Sequence, residues 1–238
     1  MLIDYNDSPW GRQFSPVIAI DGQAGSGKST LSQGLSQRLG LPVLGTGLFY
    51  RAISLWMLED ESRLHLDEHV LKEMLSSVKI EVEQERTTLN SVDVTNELRS
   101  KELQEILPLV SANVHVRAYL VDLQRSWVSS HGSSIVEGRD IGTVVFPRAY
   151  FKVFLRVSRE IQIQRRPEEK DTIILRDLAD STRLISPSTP AADAVVIDTS
   201  KRTAQEVLDS VLILLTDCVE ELLFGTDKHP GKDSAKYE

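Results

Sequence analysis

Val17-Ile18-Ala19-Ile20-Asp21-Gly22-Gln23-Ala24-Gly25-Ser26-Gly27-Lys28-Ser29-Thr30 is the stretch on which the reading of this chain turns. Four apolar residues and an aspartate have the length and character of a strand buried on both faces, over residues 17–21. Gly22, Gly27, Lys28 and Ser29 then meet the pattern G-x-x-x-x-G-K-[ST] of a phosphate-binding P-loop. Leu31, Leu35 and Leu39 follow at helical spacing, and Gly40 supplies the stop, so a helix is expected over residues 28–39. The glycines let backbone N–H groups approach an anion closely, and the helix points its positive end at the same place. Lys28 adds a mobile cation for the β- and γ-phosphates of a nucleotide, and the Ser29 hydroxyl can ligate Mg²⁺. Gly22, Gln23, Ala24, Gly25, Ser26, Gly27, Lys28, Ser29 and Thr30 are therefore the candidate phosphate contacts, with Ser29 the candidate metal contact.

Outward from this motif, strands and helices alternate. Strands are expected at residues 42–44, 134–137, 151–155 and 194–197, and helices at 47–58, 67–76, 101–113, 115–131, 159–166, 170–184 and 203–223. In the last helix Val207, Val211, Leu214, Cys218 and Leu222 share one face. This rhythm predicts an α/β fold: a P-loop core with a parallel five-stranded sheet and helices on both faces. Residues 78–94 break it. Apolar and charged residues alternate in Val78–Glu83, which reads as a small antiparallel sheet with one wet face. About 60–100 is thus an inserted subdomain, and about 165–183 a short lid within one domain spanning 16–224. The segments 1–15 and 225–238 are expected to be flexible arms.

Bulk properties narrow the classes. The chain has 238 residues, enough for one large α/β domain with an insertion, and a formal charge of −8, which argues against non-specific nucleic-acid binding. One cysteine, Cys218, excludes an intrachain disulfide or a cysteine zinc cluster, and its apolar helical setting suggests a buried structural thiol. No apolar run is long enough to span a membrane and no signal-peptide stretch opens the chain, so no membrane partner and a cytoplasmic location are expected.

Further arginines lie where ligands of such sheets bind, just after strands. Arg51 falls one turn into the helix after residues 42–44. Arg139 and Asp140, bracketed by Gly138 and Gly142, follow a buried strand; arginine suits bidentate phosphate contacts, and aspartate accepts from a ribose or base amine. Arg165, Arg166, Arg176, Asp177, Asp180 and Arg183 crowd the lid segment, with 176, 180 and 183 on one helix face if that segment is helical.

Together these residues resemble the bacterial cytidylate kinases, within the nucleoside monophosphate kinase family. The resemblance covers about residues 16–222. It rests on Ile18–Lys28, Tyr50-Arg51, the run Gly138-Arg139-Asp140-Ile141-Gly142-Thr143-Val144-Val145-Phe146-Pro147, Arg176-Asp177 with Asp180 and Arg183, and Pro190-Ala191-Ala192-Asp193-Ala194. The P-loop alone is generic; the two long runs are much more specific. The resemblance implies transfer of a phosphoryl group from ATP to CMP or dCMP, with Mg²⁺, by a monomer. Lys28, Arg139, Arg176 and Arg183 would act on the transferring group. Thr46, Arg51, Ser111, Arg117, Arg139, Asp140, Arg176, Asp180 and Arg183 would bind CMP, and Arg165 would close over ATP. Two departures stand out. The family usually has an acidic residue where this chain has Gly45, and the segment between Arg166 and Arg176 is shorter than the usual lid. Another small-molecule P-loop kinase, or a nucleotide-binding protein without catalysis, would share Lys28 and Ser29. A switch GTPase would need an Asn-Lys-x-Asp motif, which is absent from the sequence.

Overall fold

A computed structural model describes residues 15–83, 86–167, 177–180, 183 and 186–224, the last few by backbone alone. Its central sheet has the order β2(Val43–Gly45)–β6(Ser134–Gly138)–β1(Val17–Gly22)–β7(Phe151–Arg156)–β8(Val195–Asp198), and every pair in it is parallel. Adjacent residues of β1 feed opposite faces. Val17 and Ala19 join one apolar cluster with Ile53, Leu103 and Leu120, whereas Ile18 and Ile20 join a second with Leu35, Val211 and Leu214. A strand buried on both faces has no room for a polar side chain, which is why β1 reads as an unbroken apolar run until Asp21. Each fully buried leucine or isoleucine here contributes about 1.5–3 kcal/mol.

Helices α1(Lys28–Leu39) and α7(Ala204–Phe224) cover the second cluster. Helices α2(Gly47–Leu58), α4(Lys101–Ala112) and α5(Val114–His131) cover the first. Leu39, expected on the buried face of α1, is 41% exposed, because the last turn of α1 projects past the cluster before Gly40 turns the chain in the left-handed conformation. Cys218, expected to be buried, is half-buried at the edge of the second cluster. No single helix among the described residues is long and apolar enough to cross a membrane.

The insertion is a three-stranded antiparallel sheet, β3(Ile80–Val82), β4(Thr87–Leu89) and β5(Val92–Asp93), preceded by α3(Glu68–Ser77). Asn90 and Ser91 both have positive φ, the signature of the tight turn that joins β4 to β5. The alternation expected of one wet face holds for Ile80, Glu81 and Val82. It fails in β4, where Thr87, Thr88 and Leu89 are all buried between strand neighbours and the first cluster. Trp127 and Tyr119 of α5 pin the sheet down: the indole N–H donates to Val82 O at 2.8 Å and the phenol to Val78 O at 2.5 Å. Helix α6(Arg159–Arg165) ends just before Pro167.

Candidate active site

β1 ends at Gly22, where φ is +148° and an added Cβ would lie 2.3 Å from Leu155 O; only glycine lets the chain leave the sheet here. The loop that follows delivers Lys28 to the first turn of α1. Lys28 is half-buried, and its Nζ donates to Gly22 O at 2.9 Å and Gln23 O at 2.8 Å. Burial lowers its pKa to about 7, the nearby Arg139 charge acts in the same direction, and Glu137, Asp177 and Asp21 oppose it. Asp21, the last side chain of β1, accepts from the amides of Ile141 at 2.8 Å and Gly142 at 2.7 Å. Burial pushes its carboxyl up to about 6 against those two hydrogen bonds. The pair of bonds ties the P-loop strand to the short π-helical turn Ile141–Val145.

Glu137 was not among the residues singled out from the sequence. It lies in β6 opposite Ile20 of β1 and Gly45 of β2, so the register brings it to the mouth of the P-loop. Its Oε1 accepts from Ser29 Oγ at 2.9 Å, while the buried Oε2 has no hydrogen-bond partner among the described residues. Burial raises its pKa; Lys28 and Ser29 pull the other way. A Cβ on Gly45 would stand 3.4 Å from that same Oε1, so the glycine leaves the carboxylate uncrowded. The signal for Glu137 was its place: an acid at the carboxyl end of the strand next to the P-loop strand.

Beyond Glu137, Gly138 packs so closely on Ile141 and Thr46 that a Cβ would come within 2.8 Å of both. Arg139 then projects into an ion-pair belt. Its Nη1 donates to Asp177 Oδ1 at 2.7 Å, and its Nε lies 3.3 Å from Asp180 Oδ2. Asp180 also pairs with Arg183 Nη1 at 3.3 Å, and Arg183 Nη1 reaches Ser111 O at 3.4 Å. Arg117 donates to that same carbonyl at 3.0 Å and forms a buried salt bridge with Asp140. The buried Arg117–Asp140 pair is worth keeping only because further bonds satisfy the guanidinium and its plane lies over the Tyr50 ring, 5.5 Å from the centroid. Ser111 and Arg117, six positions apart, meet because Asn113 turns the chain between α4 and α5 and caps α5 through its side chain.

The other expected residues fall as follows. Thr46 is buried, and its Oγ1 donates to Glu137 O at 2.8 Å. Arg51 donates to Leu98 O at 2.8 Å, turned towards the insertion. Arg176 lies outside the described residues, as does most of 170–184, where a helix was expected; Asp177–Asp180 are helical and Arg183 is not. Arg165 donates to Gly25 O at 3.0 Å and to Thr199 O at 2.7 Å, bridging the P-loop and the loop after β8. Together with Gly27, Thr30, Arg166, Arg202 and Val207, these residues line a cavity of about 320 Å³ beside the P-loop. Thr199 and Arg202 were not foreseen, since no motif marks them. The Pro190–Ala194 run explains itself through Asp193, which takes two bonds, at 2.7 and 2.8 Å, from the buried Lys152; Lys152 also donates to Pro147 O at 2.8 Å. One lysine thus fastens together the two most distinctive runs of the sequence. Among the described residues no group of three or more His, Cys, Asp and Glu side chains could hold a metal ion.

The arrangement is a row of cations running from the P-loop through Arg139 to Arg183 and Arg117. It suits the alignment of two phosphate-bearing molecules. Comparison with known proteins agrees. A family model described as cytidylate kinase matches residues 18–217. The chain is 39% identical over 215 residues to the cytidylate kinase of Mycobacterium leprae (strain Br4923), covering 84% of this chain and 95% of that one. To the cytidylate kinase of Thermotoga neapolitana it is 38% identical over 213 residues, covering 84% and 96%. With the bifunctional pantoate ligase/cytidylate kinase of Prochlorococcus marinus (strain MIT 9312) the identity is 38% over 222 residues, 85% of this chain and 43% of that longer protein. The chain belongs to the cytidylate kinase family.

Proposed function

We propose that this protein transfers the terminal phosphoryl group of ATP directly to CMP and dCMP, giving ADP and CDP or dCDP. The observation that carries the reading is the position of Arg139. It sits two residues past Glu137, which faces Ser29 of the P-loop, and its guanidinium reaches Asp177 and Asp180 of the arginine belt. These contacts support the reading that Arg139 stands between the donor and acceptor phosphates.

In this reading the P-loop amides and Lys28 hold the donor phosphates, and its adenine enters the cavity between Arg165 and Arg202. Arg139 and Arg183, with Arg51 and Arg176 as further expected contacts, hold the acceptor phosphate. Asp180 would accept from the sugar, and Thr46, Ser111, Arg117 and Asp140 would contact the base. An oxygen of the acceptor phosphate attacks the γ-phosphorus, the bond from that phosphorus to the β,γ-bridging oxygen breaks, and ADP leaves with the electron pair. No general base is needed, because a phosphate monoester loses its second proton near pH 6. Catalysis is alignment and charge neutralisation, the standard means of phosphoryl transfer. Mg²⁺ fits the site: Ser29 Oγ and Glu137 Oε2, which has no hydrogen-bond partner among the described residues, are hard oxygen donors, too few to cage the ion, as suits a cation that keeps waters and phosphate oxygens. When bound it would neutralise charge on the donor phosphates. A net charge of −8 disfavours non-specific binding to nucleic acid or anionic membranes, and the reading is completed by a cytoplasmic monomer, as the resemblance implies. Core, insertion and lid would form one domain.

The test is ADP release with ATP and Mg²⁺, comparing CMP, dCMP, UMP, AMP, GMP and no acceptor. Fast release with CMP and dCMP is expected. Equal rates with all acceptors, or none with any, would overturn the proposal.

A further inference from the structure

Both backbone groups of Ala24, in the P-loop, are taken by side chains from beyond the loop. Its N–H donates to Asp177 Oδ1 at 3.0 Å, and its carbonyl accepts from Gln162 Nε2 at 2.9 Å. Gln162 also donates to Asp177 Oδ2 at 2.6 Å, and Arg139 donates to Asp177 Oδ1 at 2.7 Å. A single carboxylate therefore holds a phosphate-cradling amide with one oxygen, shares that oxygen with the guanidinium between the two substrate sites, and is braced from α6 through the other. Burial alone would raise the pKa of Asp177, but Arg139, the Ala24 amide and Gln162 outweigh it and hold the carboxyl below its ordinary range, so it is a full anion at neutral pH.

These partners are the ones a phosphoryl group would choose. P-loop amides exist to receive phosphate oxygens, and an arginine prefers a phosphate dianion to a lone carboxylate. A donor phosphate that takes the Ala24 N–H removes one of the bonds fixing Asp177, which loosens its hold on Arg139. An acceptor phosphate that takes Arg139 loosens the hold on Ala24. Asp180 and Arg183 follow Asp177 closely in the chain and pair in the same belt, so the effect reaches the acceptor side directly.

We propose that Asp177 is a positioning residue that couples the two substrate sites: it occupies Ala24 and Arg139 together, and either substrate, by displacing it from one, makes the other easier to bind. The coupling is positive and reciprocal, as linkage requires. This rests on the proposed CMP site.

The experiment measures CMP affinity by calorimetry on the full chain, with and without the non-hydrolysable β,γ-imido analogue of ATP. Wild type, Asp177→Asn and Asp177→Ala are compared, and Gln162→Met serves as a variant that weakens the brace without touching the carboxylate. In wild type the analogue should tighten CMP about fivefold or more, the lower range of ordinary coupling. In both Asp177 variants that are shown by thermal melting to fold, CMP alone should bind as tightly as it does to wild type with the analogue, and the remaining coupling should fall below about twofold. Gln162→Met should lie between. A role in folding alone would lower stability without removing the coupling. Equal coupling in wild type and the Asp177 variants, or none in wild type, overturns the proposal. Failure of CMP to bind any of them would instead overturn the site assignment on which it rests.

Discussion

A lysine whose pKa is lowered to about 7 is only half-charged at neutral pH, and Lys28 is such a residue before nucleotide arrives. A triphosphate beside it favours the ammonium and lifts the pKa again. Compared with Lys28→Ala, which cancels the titration of the nucleotide's own phosphate, binding should therefore take up about one more proton at pH 8, where free Lys28 is mostly neutral, and almost no more at pH 6. Calorimetry of ATP-analogue binding in buffers of different ionisation enthalpy reads this directly; no excess over Lys28→Ala, or one independent of pH, would mean another group titrates. The same variant should keep its fold and lose about 10²–10³ in kcat, as expected when one preorganised transition-state charge is removed. Lys28 and Ser29 were legible in the sequence because a P-loop is contiguous. Glu137 and Asp177 were not read as site residues because contacts made at a distance define them. Glu137 meets Ser29 across 108 positions, and Asp177 meets Ala24 across 153.

At the scale of elements, the insertion is held less by its own three short strands than by α5. Two- and three-residue strands bury little surface, and an isolated meander of this size would be marginal in water. The bonds from Trp127 to Val82 O and from Tyr119 to Val78 O supply the missing anchorage. Trp127→Phe keeps most of the apolar contact and orphans the Val82 carbonyl, so it should cost about 1–3 kcal/mol in urea unfolding. Amide exchange in β3 and β4 should quicken more than in β1; uniform quickening would mean that the insertion does not open separately. The strands of the central sheet and the helices that cover it were readable to within a residue or two, since each is announced by local periodicity; most of the helix expected at 170–184 lies outside the described residues. The sheet order β2-β6-β1-β7-β8 was not, because order is a property of pairing and every strand of a doubly covered sheet carries the same apolar pattern. β4 was not read as a strand for a related reason: Arg86, Thr87 and Thr88 are polar in sequence, and only the packing shows Thr88 to be 8% exposed.

For the molecule as a whole, the charge is unevenly divided. The chain carries −8, yet Arg165, Arg166 and Arg202 line the cavity beside the P-loop, and Lys28, Arg139, Arg183 and Arg117 belong to the proposed substrate site next to it. Such a cleft focuses the field on an approaching anion, while the acidic exterior repels it elsewhere. With kcat unchanged, kcat/KM for CMP should fall several-fold as KCl is raised from about 10 mM to about 150 mM, over which the screening length shrinks from about 30 Å to about 8 Å. A flat profile would mean that the belt acts only at contact range. The parallel sheet has a further consequence, in the order in which the molecule comes into being. Val17 pairs with Ser134 and Ile18 with Phe151, so the strand that carries the P-loop has neither neighbour until well over half of the chain has left the ribosome. The meander at 80–93 has all three of its own strands long before that, though not its anchors Tyr119 and Trp127. A nascent chain stalled before residue 134 should thus expose an apolar strand awaiting both of its partners, the state most in need of a chaperone.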